Sequence, residues 1–266
     1  MDCIKVNYKN WVPKGLILAL CIGTITSFVL LMLFGTTGIV TNKVIRFILT
    51  LVFLLIFLLC AAFLVWSVNA YNKFSYKGKR KLSKQVIDGI ADYVHIPNDG
   101  IGLDIGCGSG ALTIACAKRN SKATMMGIDR WGKEYASFNK QLCENNAKAE
   151  EVSNVKFLKG NAVKLDFPDE SFDAVTSNYV YHNISGVNKQ ELLLESLRVL
   201  KKGGTFAIHD LMSKSRYGDM NAFVEKLHSL GYESVELIDT TDGNFMNKKE
   251  AKQLMLSGSI LLVGKK

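Results

Sequence analysis

Proline is scarce in this chain of 266 residues, three in all, which excludes a collagen-like or proline-rich polymer. The six cysteines (Cys3, Cys21, Cys60, Cys107, Cys116 and Cys143) include no CxxC pair and no metal-ligand spacing. Neither a disulfide framework nor a zinc module is encoded, so reduced thiols and no metal are expected. Charge of one sign is also missing from most of the chain. The net charge is +9, yet residues 1–98 carry 11 Lys and Arg against 3 Asp and Glu, while 99–266 carry 22 against 21. The excess flanks the apolar N-terminal segments, so total charge gives no support to a nucleic-acid partner, and none is expected. With 48% hydrophobic and 21% charged residues the chain is not disordered.

What is present first is apolar length. Leu16–Phe34 has 19 uncharged residues and Phe47–Trp66 has 20, each spanning roughly 28–30 Å as a helix, the thickness of a hydrocarbon core. A cleaved signal peptide has a shorter apolar region, of about 7–15 residues, with a small-residue cleavage site. The second run, 12 residues later, makes a transmembrane hairpin the expectation. Lys5, Lys9 and Lys14 precede it, and Lys73, Lys77, Lys79, Arg80, Lys81 and Lys84 follow it; the connecting loop holds only Lys43 and Arg46. By the positive-inside rule both termini then lie in the cytoplasm of a multi-pass cell-membrane protein. Trp11, Trp66, Tyr71, Phe74 and Tyr76 suit the interfaces, and the basic stretch 73–84 suits anionic headgroups or simply sets topology.

From Ser83 the pattern changes. Ser83–Val94 places Val86, Ile87, Ile90, Ala91 and Val94 on one helical face. Strand-like and helix-like segments then alternate: GIGLDI, Ala111–Arg119, TMMGID, Lys133–Lys148, VKFLKG, FDAVTSNY, Lys189–Lys201, TFAIHDL, Tyr217–Leu230, SVELID and SILLVGK. This order predicts a parallel sheet with helices on both faces. Asn188 with Glu191 reads as a capping box, and Gly203-Gly204 as the stop of that helix. Only a loop, 240–258, separates the last two strands, so these are expected to pair antiparallel.

The most informative segment is LDIGCGSG, Leu103–Gly110. Gly106, Gly108 and Gly110 allow backbone to approach a ligand with positive φ, but glycines alone suit any nucleotide. Asp104 discriminates, because a carboxylate at the strand end repels a pyrophosphate and attracts an ammonium group. Asp129, 25 residues on at the end of TMMGID, is placed to accept both hydroxyls of a ribose.

LDIGCGSG, Asp129, GNAVKLDFPDESFDAVTSNYVYHN and RVLKKGGTFAIHDL together resemble class I S-adenosylmethionine (SAM)-dependent methyltransferases. The likeness is to the type 11 group that includes the ubiquinone/menaquinone C-methyltransferases, and it covers roughly residues 84–266. It implies an α/β fold: a Rossmann-like seven-stranded methyltransferase sheet with helices on both faces and an antiparallel last strand, here preceded by the two-helix transmembrane hairpin. It implies SAM as cofactor, with Asp104, Gly106, Cys107, Gly108 and Gly110 around the methionine moiety, Asp129 on the ribose, and Arg130 and Trp131 flanking the adenosine. Asn161-Ala162 stands where the family usually has Asp-Ala at the adenine; an Asn carbonyl still accepts from the adenine amino group. Asn178, ending the fourth strand, would border the methionine group.

The expected organisation is a membrane hairpin over 1–70 (spans 16–34 and 47–66), a basic linker with an amphipathic helix over 71–97, and a methyltransferase domain over 98–266. The implied reaction is in-line attack of an acceptor on the SAM methyl. His182 is the candidate base where the acceptor must lose a proton, with Tyr179, Tyr181, Asp210 and Tyr217 around the acceptor. A small-molecule or lipid acceptor is expected beside the membrane. The alternatives are a non-enzymatic SAM-binding sensor or scaffold, and an NAD(P)-dependent oxidoreductase using the same glycine turn.

Overall fold

The computed structural model describes residues 5–132 and 137–266. The chain divides into two compact units, one of residues 10–83 and one that joins the residues up to Lys9 to 84–266.

The smaller unit is a pair of helices, α1 (Lys14–Thr36) and α2 (Lys43–Phe74). Asn42 starts α2 by accepting from the backbone N–H groups of Val44 and Ile45, which satisfies two of the donors a helix start leaves unpaired. With that cap, and with no breaker before Ser75, α2 runs beyond the expected 47–66 at both ends. Phe34 stacks on Phe53 and Phe28 tilts against Phe57 between the two helices. Both are long and apolar enough to cross a membrane, and only 6% and 0% of their apolar windows are buried. A core helix of a soluble domain would be mostly covered, so these two are not core helices within their unit.

After the segment that ends at Lys9, the larger unit takes in all but the first two residues of α3 (Leu82–Ala91). It continues with β1 (Ile101–Ile105), α4 (Ala111–Arg119), β2 (Thr124–Asp129), α5 (Lys140–Ala149), β3 (Val155–Lys159), β4 (Phe172–Asn178), α6 (Lys189–Arg198) and β5 (Leu200–Leu211). A short α7 (Lys214–Tyr217), α8 (Met220–Ser229), β6 (Ser234–Asp239), α9 (Lys248–Gln253) and β7 (Ser259–Lys265) complete it. The strands form one sheet in the order β3-β2-β1-β4-β5-β7-β6. The first five are parallel, and β7 runs antiparallel to both β5 and β6. The seven-stranded mixed sheet with an antiparallel last strand is the Rossmann-like architecture that the sequence implied.

Strand alternation divides the core. Leu103, Ile105, Val175, Phe206 and Ile208 project into a large cluster with Leu193 and Leu197 of α6 and Phe223 and Leu227 of α8. Gly102 and Asp104 alternate to the other face, where α4 packs. Gly127, beside Asp104 in register, lets α4 approach: a Cβ there would stand 2.7 Å from Thr113 Oγ1.

Several expected boundaries differ. Residues 133–136 of the expected helix Lys133–Lys148 lie outside the described residues, and the observed helix starts at Lys140, where Asn139 accepts from Leu142 N–H. The Gly203-Gly204 stop falls inside β5, since Leu200 already pairs with Phe172 across an irregular register. Gly218, at φ 73°, ends α7 after Tyr217, and the expected Tyr217–Leu230 helix begins only at Met220, as α8. The loop 240–258 holds the six-residue α9, capped by Asn247.

Candidate functional site

The order β3-β2-β1-β4 reverses direction of growth beside β1, and ligands of open α/β sheets bind at the carboxyl edge of such a switch point. The loop Gly106–Gly110 lies there. Gly106 and Cys107 N–H donate to Ile128 O at 2.8 and 3.0 Å, fixing the loop to β2. The three glycines have positive φ, but their surroundings differ. A Cβ on Gly106 would overlap Val180 at 2.3 Å and one on Gly110 would press Phe157 at 3.0 Å, whereas at Gly108 nothing among the described residues lies nearer than Phe138 at 3.8 Å. Gly106 and Gly110 are therefore glycines because protein fills the space. Gly108 alone leaves a cradle above its backbone.

Asp129, last residue of β2, closes that cradle. Its Oδ2 accepts from Gly108 N–H at 2.9 Å and its Oδ1 from Trp131 N–H at 2.7 Å. Trp131 Nε1–H donates to Gly108 O at 3.1 Å, and the Trp131 ring packs beside Cys107 and Cys143. Each carboxylate oxygen keeps a second lone pair for a hydroxyl. Gly108, Asp129 and Trp131 thus form one bonded cluster. Arg130 next to it is exposed. Cys107 is buried, and burial pushes its thiol well above the usual range, so it is a packing residue of the loop and no nucleophile.

Asp104 is placed differently from a strand-end carboxylate open to a ligand. It is 1% exposed, one residue inside β1. It accepts from Thr113 Oγ1 at 2.6 Å and Thr176 Oγ1 at 3.1 Å. Burial pushes its carboxyl up to about 6, against the two threonine hydrogen bonds. It joins the first turn of α4 to β4 behind the glycine loop, and any action on a ligand is through its charge. Thr113 and Thr176 were not legible as site residues, since nothing in their spacing marks them.

Asn161, exposed after β3, accepts from Val163 N–H at 3.0 Å, and Ala162 is half-buried against the large cluster. Both lie on the same sheet edge as the glycine loop, one strand beyond Asp129. Asn178 ends β4 and its Oδ1 meets His209 Nδ1 at 2.9 Å; His209 Nε2 meets Thr240 Oγ1 at 2.9 Å. Burial holds His209 down to about 3, so this chain is neutral and its imidazole is a structural link.

His182 sits in a single 3₁₀ turn, Tyr181–Asn183. Its Nδ1 is 2.5 Å from Asp210 Oδ1, and its backbone N–H donates to Asp210 Oδ2 at 3.1 Å. Asp210 is wholly buried. Burial alone would raise its carboxyl, but the His182 contacts and the Leu211 N–H outweigh that and hold it below the usual range. An ionised Asp210 accepts from Nδ1–H, leaving Nε2 to take a proton. The His182 side chain is 18% exposed. Tyr179 and Tyr181, both expected around the acceptor, lie in different surroundings. Tyr179 takes φ 55° and its hydroxyl meets Ser259 Oγ, while Tyr181 is core, bonded to Ser196 Oγ. Tyr217 is buried beside Asp210. No cluster of metal-ligating side chains occurs among the described residues.

With this geometry in place, comparison with known proteins shows what the α/β unit is similar to. Residues 103–208 match the family model described as methyltransferase domain. The matched segment runs from β1 into β5 and contains the glycine loop, Asp129, Asn161, Ala162, Asn178 and His182. The chain is 36% identical over 108 residues to the uncharacterized methyltransferase YcgJ of Bacillus subtilis, covering 41% of this chain and 39% of that protein. It is 30% identical over 139 residues to the demethylmenaquinone methyltransferase of Bacillus licheniformis, covering 52% and 56%. The chain thus spans about half the length of the curated relatives it matches. In fold it is similar to geranyl diphosphate C-methyltransferase from Streptomyces coelicolor, whose structure contains S-adenosyl-L-homocysteine. The TM-score is 0.55 at 14% identity, over 73% of this chain and 83% of that one.

Proposed function

We propose that the chain is a membrane-anchored SAM-dependent methyltransferase acting on a lipophilic small molecule, with its α/β unit on the cytoplasmic side. The observation that carries this reading is the Asp129 carboxylate bonded to the Gly108 N–H of an uncrowded glycine turn. It suits a nucleoside with free ribose hydroxyls and no phosphate over the loop. When bound, SAM supplies an electrophilic methyl on a sulfonium sulfur. Asp129 accepts from the ribose hydroxyls while Gly108 and Trp131 N–H groups hold its orientation. Arg130, Trp131, Asn161 and Ala162 border the adenosine. Gly106, Cys107, Gly108, Gly110 and Asn178 border the methionine end, with the Asp104 charge behind the loop favouring an ammonium group. His182 Nε2 takes the proton of an acceptor that must lose one, and Asp210 fixes its tautomer. Alignment at the sheet edge supplies the rest of the acceleration.

The two apolar helices and their basic flanks support integral anchoring, and the name of the demethylmenaquinone methyltransferase relative favours a lipophilic acceptor. The test uses membranes holding the full chain, supplied with methyl-labelled SAM and analysed by mass spectrometry. The expected result is a membrane-extractable species heavier by one methylene equivalent, absent with Asp129→Ala. SAM binding without transfer to any membrane or soluble small molecule would leave a sensor or scaffold instead.

A further inference from the structure

The segment ahead of the first apolar helix is built into the α/β unit. Asn7 N–H donates to Asn146 Oδ1 at 2.7 Å, and Asn146 Nδ2 donates back to Asn7 O at 3.1 Å. The same Asn146 amide donates to Ser109 O at 2.9 Å, and Ser109 Oγ donates to Tyr8 O at 2.8 Å. Asn146 is 1% exposed, and its three polar contacts join the N-terminal segment, α5 and the glycine loop. The Tyr8 ring packs on Cys107, Ile114, Cys143, Ala147 and Phe157, the cluster that underlies that loop. Its hydroxyl donates to Glu150, which also pairs with Lys118. Ser109 stands between Gly108, whose backbone lines the cradle, and Gly110, which starts α4 with φ 81°. The loop is therefore held to β2 from one side, through Ile128 and Asp129, and to residues 7–8 from the other.

We propose that Asn7 and Tyr8 are positioning residues for the cofactor loop: a strap that sets the glycine turn in its ligand-ready shape. This inference rests on the reading of the loop as a SAM site. A loop of small residues with positive φ has many conformations to lose on binding. Contacts that restrict it beforehand reduce that loss and show as affinity.

The test uses the full chain in lipid nanodiscs, with SAM titration calorimetry and amide hydrogen exchange. Tyr8→Ala removes the ring from the cluster, and Asn7→Pro removes the N–H that Asn146 accepts. Tyr8→Phe keeps the ring and serves as the conservative variant. Tyr8→Ala and Asn7→Pro are expected to raise the SAM Kd roughly tenfold, the scale of one or two lost contacts. Exchange at residues 108–112 should quicken in both, with β4 and β5 unchanged, and Tyr8→Phe should stay near wild type. Wild-type affinity and exchange in both variants would overturn the strap, and so would faster exchange throughout β4 and β5, which marks general destabilisation. If the wild type binds no SAM, the methyltransferase reading fails, and local exchange at 108–112 still decides whether the strap holds the loop.

Discussion

At the scale of single residues, Asp129 and Gly108 carry most of the account. Asp129→Ala deletes the acceptor that two backbone N–H groups and a ribose would share. SAM affinity should fall by about 1–3 kcal/mol, measured by calorimetry, and the unfolding midpoint should fall as well, because the Gly108 and Trp131 N–H groups lose their acceptor. Gly108→Val should abolish binding, since a β-branched side chain fills the cradle and resists φ 55°. His182→Ala should lower the transfer rate by roughly 10²–10⁴ at unchanged SAM affinity for an acceptor that loses a proton. Asp104 makes a separate prediction. Its folded-state carboxyl sits at about 6, above the unfolded value near about 3.9. The folded state binds that proton more tightly, so its stabilising contribution is complete below about pH 4 and is lost as pH rises through about 6. Ligand-free Asp104→Asn should lack this part of the stability profile in urea titrations between those pH values. An unchanged profile would contradict the burial argument.

At the scale of elements, sequence periodicity reads the sheet well and the connections poorly. GIGLDI, TMMGID and FDAVTSNY stand out because buried strands need continuous apolar runs bounded by breakers. Ala111–Arg119 follows from its position after the glycine turn. The stop of α6 was misplaced because tertiary pairing of Leu200 with Phe172 recruits Lys201–Gly204 into β5. Contacts between distant segments had no local signal. Asp210 meets His182 only because β4 and β5 align Asn178 with His209, and Tyr8 reaches Ser109 across 101 residues. The approach of α4 to Gly127 gives an element-scale test. Gly127→Val would drive a side chain into Thr113 and Phe157, lift α4 from β1 and β2, and cost more than about 2 kcal/mol in denaturant unfolding. A variant as stable as wild type would contradict the packing described for α4.

At the scale of the whole molecule, an apolar helical pair and an α/β unit share one chain. Integral anchoring predicts that the full chain stays with membranes through a high-salt wash and is released by detergent. A reporter joined after Lys266 should score as cytoplasmic; an external signal would reverse the topology. The central claim is that the Gly108–Asp129 cradle is a SAM site, and one titration tests it most directly. Calorimetry of detergent-solubilised full chain with SAM is predicted to show one saturable site in the wild type, weakened about tenfold or more in Asp129→Ala. Absence of saturable SAM binding in the folded wild type, or equal affinity in the two proteins, would contradict it.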